Sequence, residues 1–242
     1  MKRDILKYLL NLFYPLKCQV CGVKLKPENI WGICRDCFHK IRINLPPYCN
    51  VCGRPISSEH KEGICFDCQD KVYYFRRIWA ICEYKSLIRE CIHLFKYKKK
   101  MILKNLFSEL MSNFINNFID IKKIDLITSV PMHRTKLVTR GFNQSLLIAE
   151  DLSKRFKKQL ISNNLVKIKP TIPQVQLDRR ERLLNLDGVF KVKDKSLFNN
   201  KNILLIDDVV TTSSTINECA KVLKESGADN IYALVIARGN QL

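Results

Sequence analysis

Acidic side chains are scarce in this chain: 23 Asp and Glu stand against 42 Lys and Arg in 242 residues, a formal net charge of +19. The imbalance turns attention away from cationic partners and toward nucleotides, nucleic acid or a membrane surface. The excess is spread out, with 14 basic and 7 acidic residues in 1–77 and 28 and 16 in 78–242, so by itself it marks no nucleic-acid patch. Long apolar runs are also missing. Ile5–Leu16, after Lys2 and Arg3, is interrupted by Asn11 and Pro15 and falls short of the roughly 20 residues that span a bilayer. No small-residue cleavage site follows it, as a secretory signal requires. The stretch reads as an amphipathic helix packed on the body of the protein or on a partner. The expectation is a soluble, cytoplasmic chain with no stable membrane insertion, and in that compartment disulfides are disfavoured.

What the chain does have is cysteine in a strict pattern. Eight of its eleven cysteines form four C-x2-C pairs: Cys18/Cys21, Cys34/Cys37, Cys49/Cys52 and Cys65/Cys68. The first four positions recur 31 residues later, together with Gly22/Gly53, Gly32-Ile33/Gly63-Ile64 and Asp36/Asp67, which marks a tandem duplication. Each unit reads C-x2-C-x12-C-x2-C, the spacing with which two cysteine knuckles close a tetrahedral zinc site. Iron takes the same four thiolates, but zinc is the default for a closed structural site. Units this small bury too little apolar surface to fold unaided, so the metal supplies stability. Two structural zinc ions per chain are expected, each held within one repeat because a single ancestral unit had to close its own site. The alternative pairs Cys18/Cys21 with Cys49/Cys52, and Cys34/Cys37 with Cys65/Cys68. Cys82, Cys91 and Cys219 stand alone in apolar surroundings and read as buried thiols.

The remainder is organised around Ile203–Thr215. Ile203–Ile206 is enough for a short strand buried on both faces; Asp207-Asp208 follow as an acidic tip, then Val209-Val210 and the hydroxyl run Thr211, Thr212, Ser213, Ser214, Thr215. Ile216, Ala220, Val222 and Leu223 lie at helical spacing before Gly227. A hydroxyl-rich turn at a strand's carboxyl end, opening a helix, offers N–H groups and a positive terminus to a phosphate. The same residue types also cluster before helices simply to cap them. Two carboxylates beside an anion site are consistent only if they meet sugar hydroxyls or a cation such as Mg²⁺.

Upstream, Ile78–Tyr84 reads as a strand and Leu87, Ile88, Cys91, Ile92 and Phe95 as a helical stripe. Lys96–Lys100, interrupted by Tyr97, reads as a solvated face that leaves room for nucleic acid. His93 reads as structural. Leu103–Ile119 is a second amphipathic helix. Ile124–Val130 is a buried strand ending in Ser129-Val130-Pro131. It leads into a basic loop with His133, Arg134, Lys136 and Arg140, then into a helix capped by Asn143 or Ser145. Such a loop is a reasonable pyrophosphate clamp. A polar stretch with Gln174, Arg179, Arg180, Arg182, Asn185, Gly188 and Phe190 follows, and Tyr232–Ile236 supplies a last strand.

The D-D-x-x-T-T-x-x-T pattern resembles the ribose-phosphate motif of type I phosphoribosyltransferases. The resemblance implies that Asp207 and Asp208 face the ribose hydroxyls of phosphoribosyl pyrophosphate and that Thr211–Thr215 wrap its 5′-phosphate. That family usually has Gly where this chain has Ser213, whose Cβ would crowd a close backbone approach. With the cysteine-rich module, Val130-Pro131, Arg134, Arg140-Gly141-Phe142-Asn143-Gln144 and the string from Gln174 to Phe190, nearly the whole chain is similar to the ComF family of bacterial competence-associated proteins. That resemblance implies an α/β architecture: a small tandem zinc-ribbon domain with the N-terminal helix over 1–75, then a type I phosphoribosyltransferase-like domain over 76–242. The second domain would hold a twisted, mainly parallel sheet flanked by helices.

The function it implies is binding of phosphoribosyl pyrophosphate, or a related phosphorylated ribose, with Mg²⁺ in natural competence and DNA uptake. Site residues would be Asp207, Asp208, Thr211–Thr215 and Ser129-Val130-Pro131, with Arg134 and Arg140 neutralising the leaving pyrophosphate in any catalysis. Some relatives place an acidic base where this chain has Thr211, which argues against purine salvage and leaves the acceptor open. The alternatives are a transferase acting on an unknown acceptor, or a zinc-ribbon module that binds single-stranded DNA or docks other competence proteins, a helicase or a channel.

Overall fold

The computed structural model describes residues 15–57, 63–170 and 188–239. The helix expected over Ile5–Leu16 lies almost wholly outside them, and so does the polar stretch from Gln174 to Asn185.

The centre is a five-stranded sheet, all parallel, in the order β1-β7-β6-β2-β3. Its strands are β1 (Arg77–Glu83), β2 (Leu126–Ser129), β3 (Gln159–Leu160), β6 (Asn202–Val210) and β7 (Asn230–Arg238). Successive side chains of a strand point to opposite faces, and in the middle strands both faces are apolar. Leu204, Ile206, Leu234 and Ile236 join one core, while Ile203, Leu205, Ala233 and Val235 join the other. Helices α3 (Ser86–Tyr97), α4 (Leu103–Phe118) and α6 (Gln144–Phe156) cover the first face. Helix α7 (Ser214–Lys224) and the hairpin of β4 (Leu165–Lys167) with β5 (Phe190–Val192) cover the second. This is the parallel, helix-flanked sheet that the resemblance implies.

The buried stripe of α3 is Leu87, Ile88, Cys91, Ile92 and Phe95, the set that its spacing predicts. Burial of such side chains contributes about 1.5–3 kcal/mol each for the aliphatic and aromatic members. Cys82, Cys91 and Cys219 are fully buried, and burial pushes the Cys82 and Cys91 thiols up to about 12. Two differences from expectation bear on the site. β6 does not end at Ile206 but stays paired with β7 through Val210, so the acid pair belongs to the strand. The basic segment after Pro131 is not a loop but a short helix, α5 (Arg134–Arg140), with no buried residue. Lacking any apolar stripe, it carries no helical periodicity to read.

The two cysteine repeats lie along the outer edge of β1. Asn44 donates its N–H to Ile81 O at 2.8 Å and its side-chain amide to Ala80 O at 2.8 Å, while Ile78 donates to Val51 O at 2.8 Å. The edge, a row of otherwise unpaired backbone groups, is thereby closed. Short helices α1 (Arg35–His39) and α2 (Phe66–Gln69) carry the fourth cysteine of each repeat. The first repeat gives Cys18, Leu25, Ile33, Cys37 and Ile41 to the main core; the second forms its own small cluster around its cysteines.

Duplication supplies an internal control on this docking. Gly22 and Gly53 occupy equivalent knuckle turns, at φ +75° and +70°, where side chains are strained. A Cβ on Gly22 meets nothing within 4 Å, whereas one on Gly53 meets Ile78 O at 2.5 Å. Gly22→Ala should therefore cost about 1–2 kcal/mol for the left-handed backbone. Gly53→Ala should cost about 1–3 kcal/mol more for the clash. Urea denaturation of both variants measures this; equal losses would show that the second ribbon is not seated tightly on β1.

Candidate functional site

The eight cysteines form two groups, Cys18/Cys21/Cys34/Cys37 and Cys49/Cys52/Cys65/Cys68, and within each all four sulfurs lie within 4.8 Å of one another. The pairing is local to each repeat, not interleaved. A tetrahedron with Zn–S of about 2.3 Å has S–S edges near 3.8 Å, and Cys21–Cys34 and Cys52–Cys65 stand 3.6 and 3.7 Å apart. The knuckles match bond for bond: Cys34 and Cys65 donate N–H to Cys18 and Cys49 Sγ, each at 3.4 Å. Gly22 and Gly53 donate to Cys18 and Cys49 O, each at 3.0 Å. The donor sets fit zinc at both sites. In the second group the thiols crowd one another: Cys52, held by its contact with Cys49 Sγ, is pushed up to about 11. A cation is the natural relief for four sulfurs so close.

The second site lies at the carboxyl end of β6. Asp207 Oδ1 accepts from Ser145 Oγ at 2.8 Å and from the Asp208 N–H at 2.9 Å. Burial, with the Asp208 charge beside it, pushes the Asp207 carboxyl up to about 7. Asp208 shares parity with Leu204 and Ile206, so it faces α3, where Lys96 Nζ lies 2.7 Å from its Oδ1. Beyond them Thr211–Thr215, with Asp207, Val209, Val210 and Ile216, line a small cavity of about 30 Å³ at the start of α7. Ser214 Oγ donates to Thr212 Oγ1 at 2.9 Å. Ser213 has φ +66° and ψ 0°, the left-handed region, which is the reason glycine suits that position.

Ser129-Val130-Pro131 runs up to the acid pair, since Val130 N–H donates to the O of Ile206, the residue before Asp207, at 2.9 Å. Val130 O in turn accepts from Asn143 Nδ2 at 3.0 Å, while Asn143 Oδ1 caps α6 through the Ser145 N–H at 3.1 Å. Of the two cap candidates, Asn143 therefore takes the role. Arg140 donates to Gln144 Oε1 at 2.8 Å and lies 5.3 Å from the Tyr97 ring centre, on the Lys96 side of the site. Arg134 is not brought to the carboxylates. It is exposed and borders a separate cavity of about 380 Å³ with Ser129, Pro131, Phe142 and Lys167. Burial and Lys136 bring the Lys167 ammonium down to about 8.

Three residues escaped the sequence argument. Lys96 is half-buried and paired, not part of a solvated face; a signal existed, because it falls at i+4 and i+8 from Ile92 and Ile88 on the buried stripe. Ser145 reads from the sequence only as a cap. Arg238, the last residue of β7, carried no signal at all. His93 is exposed, against the Tyr97 ring at 4.8 Å.

Residues 9–69 match the family model described as a double zinc ribbon domain. The chain is 30% identical over 212 residues to Competence protein ComFC of Bacillus subtilis, covering 87% of this chain and 72% of that one. It is 28% identical over 232 residues to DNA utilization protein YhgH of Escherichia coli, covering 94% and 99%. Competence protein F of Haemophilus influenzae is 32% identical over 119 residues, 49% of this chain; the alignment spans about half of that relative, 52%. Among solved structures, adenine phosphoribosyltransferase from Thermoanaerobacter pseudethanolicus aligns with a TM-score of 0.36 at 16% identity, over 59% of this chain and 83% of that one. No helix among the described residues is long and apolar enough to cross a membrane.

Two outcomes follow from this geometry. Ser213→Gly should raise stability by about 1 kcal/mol by relieving the left-handed backbone, while Ser213→Ala, which keeps the strain, should not; equilibrium denaturation that finds both variants weakened would contradict the strain. Asp207 has a folded pKa raised above its unfolded value, so its contribution is most favourable below about 4 and is lost as pH rises to about 7. Asp207→Asn should then gain on the wild type, by on the order of a few kcal/mol, between those pH values and no further above them. A pH-independent difference in unfolding free energy would show that Asp207 is not held as a costly buried acid.

Proposed function

The chain belongs to the ComF family of competence proteins, and on that premise we propose that it acts in the uptake and handling of DNA and binds phosphoribosyl pyrophosphate with Mg²⁺ at the carboxyl end of β6. The observation that carries this is the juxtaposition of Asp207 and Asp208 with the Thr211–Thr215 cavity. The loop's hydroxyls and the N-terminus of α7 offer donors to a 5′-phosphate. The two carboxylates offer acceptors to the ribose hydroxyls, and Ser145 and Lys96 keep them in place. Arg140 stands on the side from which a pyrophosphate would approach Ser129-Val130-Pro131. Mg²⁺, when bound with the ligand, supplies charge against the pyrophosphate. Exposed Tyr97 and Lys98–Lys100 border the same end of the sheet, and single-stranded DNA is the second ligand we assign there, through stacking and phosphate contacts. A cytoplasmic location fits both ligands.

One observation favours a transferase as a second reading. The cavity of about 380 Å³ beside Ser129 and Pro131 has room for an acceptor, and no carboxylate is among its described lining residues. Lys167, with its pKa brought down to about 8, is the group there whose free amine becomes available as a base above neutral pH.

Calorimetry with phosphoribosyl pyrophosphate should show Mg²⁺-dependent binding. The folded double variant Asp207→Asn/Asp208→Asn should lose at least about tenfold in affinity, equivalent to about 1.4 kcal/mol. Unchanged affinity in that variant would remove the site assignment. A single-stranded oligonucleotide added to the same titration should bind with strong salt dependence, in the range of about 10⁻⁴–10⁻⁶ M; binding indifferent to salt would exclude the DNA role. Pyrophosphate release in the presence of an acceptor panel separates turnover from binding alone.

A further inference from the structure

The second zinc site and the phosphate loop share a buried cation. Arg238 lies opposite Val210 in the β6–β7 register, at the point where the loop leaves the sheet, and only 4% of it is exposed. One terminal nitrogen of its guanidinium donates to Cys52 O at 2.6 Å and stands 3.4 Å from Ser213 Oγ. The other donates to Thr211 O at 3.1 Å. Cys52 is a ligand of the second zinc set. A single side chain therefore holds a zinc knuckle on one side and both ends of the strained turn on the other.

Two more contacts join the same parts. Asn217, in the first turn of α7, accepts from the Tyr74 N–H at 2.9 Å, and Tyr73 OH lies 3.7 Å from Cys68 Sγ. Together these elements wall a cavity of about 380 Å³ bounded by Cys52, Cys68 and Tyr73 on the ribbon and by Thr212–Ser214 and Asn217 on the loop. Among the described residues, the first ribbon contributes none to that wall. It docks on α4 instead, where Asn105 Nδ2 donates to Ile30 O at 2.8 Å.

The charges point the same way. A buried guanidinium needs counter-charge, yet among the described residues Arg238 forms no ion pair with a carboxylate; its partners are two carbonyls and a hydroxyl. Four thiolates on Zn²⁺ carry about −2 in total, and a phosphate in the loop would bring a second anion. Residues in sparsely populated backbone regions persist where their surroundings over-determine them, and for Ser213 the surroundings include Arg238.

We propose that Arg238 is a positioning residue that latches the phosphate loop to the second zinc site, so that metal at Cys49/Cys52/Cys65/Cys68 and ligand at Thr211–Thr215 stabilise each other. The identity of that ligand rests on the function proposed above. By linkage, a ligand that tightens on the loop must raise the affinity for the second zinc and leave the first alone, and differences in affinity fall mostly on dissociation.

The test follows transfer of both zinc ions from the full-length chain to a chromogenic chelator, with and without phosphoribosyl pyrophosphate and Mg²⁺. In the wild type the ligand should slow release of one zinc about fivefold or more, within the usual range of coupling. That protected phase should survive in Cys21→Ser, which removes an exposed ligand of the first site. Arg238→Lys keeps a buried cation; it should still hold two zinc ions but release one faster, bind the ligand more weakly and lose the protection. A wild type that binds the ligand yet releases both zinc ions at unchanged rates overturns the latch. If the wild type binds no ligand, the functional reading fails, and the Arg238→Lys release rates decide the latch alone: faster loss of one zinc retains it, and unchanged loss of both overturns it.

Discussion

Two adjacent carboxylates at the end of a buried strand are the constraint to which the rest of the sheet answers. Asp207 and Asp208 cannot both be ionised beside one another in a place poor in water without compensation. Lys96 reaches in from α3 to one of them, and Ser145 donates to the other from the first turn of α6. Neither arrangement is there for stability. A buried ion pair returns little more than its desolvation cost, and an apolar pair of similar volume would do as well. An arrangement that costs this much sits beside a turn lined with hydroxyls, and the polyhydroxylated, anionic ligand proposed above would give it a use.

The zinc ribbons answer a second constraint, the open edge of β1. A parallel sheet leaves backbone groups unpaired at its margin, and here both repeats pair with that margin through Asn44 and Val51. The repeats began as copies but have separated in use. The first has merged with the main core and braces α4. The second stands against the loop after β6, with Arg238 between them. Edge protection and loop geometry thus meet in the second ribbon, whose Val51 pairs with β1 and whose Cys52 carbonyl accepts from Arg238 at the end of β7.

Much of this was legible in the residue order. Four of the five strands of the sheet hold short apolar runs, which β3, only Gln159–Leu160, does not; the long helices carry period-3.6 stripes, and a 31-residue repeat with two complete cysteine sets implies local zinc sites. Elsewhere the pattern misled for physical reasons. Lys96 opens a run of lysines that reads as solvated, and only its offset from Ile88 and Ile92 reveals that it points inward. The exposed α5 buries nothing, so it has no stripe to announce it. Ser145 meets Asp207 across 62 positions and Arg238 meets Cys52 across 186, and no local spacing encodes contacts of that range. The strain at Ser213 was visible only as a missing glycine; its φ of +66° supplies the reason.

The most direct test of the account is a crystal structure of the chain with phosphoribosyl pyrophosphate and Mg²⁺ bound. The 5′-phosphate should lie within the Thr211–Thr215 turn, with the ribose hydroxyls on Asp207 and Asp208 and the Lys96 and Ser145 contacts intact. Ligand density confined to the cavity beside Met132 and Lys167, with the two carboxylates untouched, would contradict it.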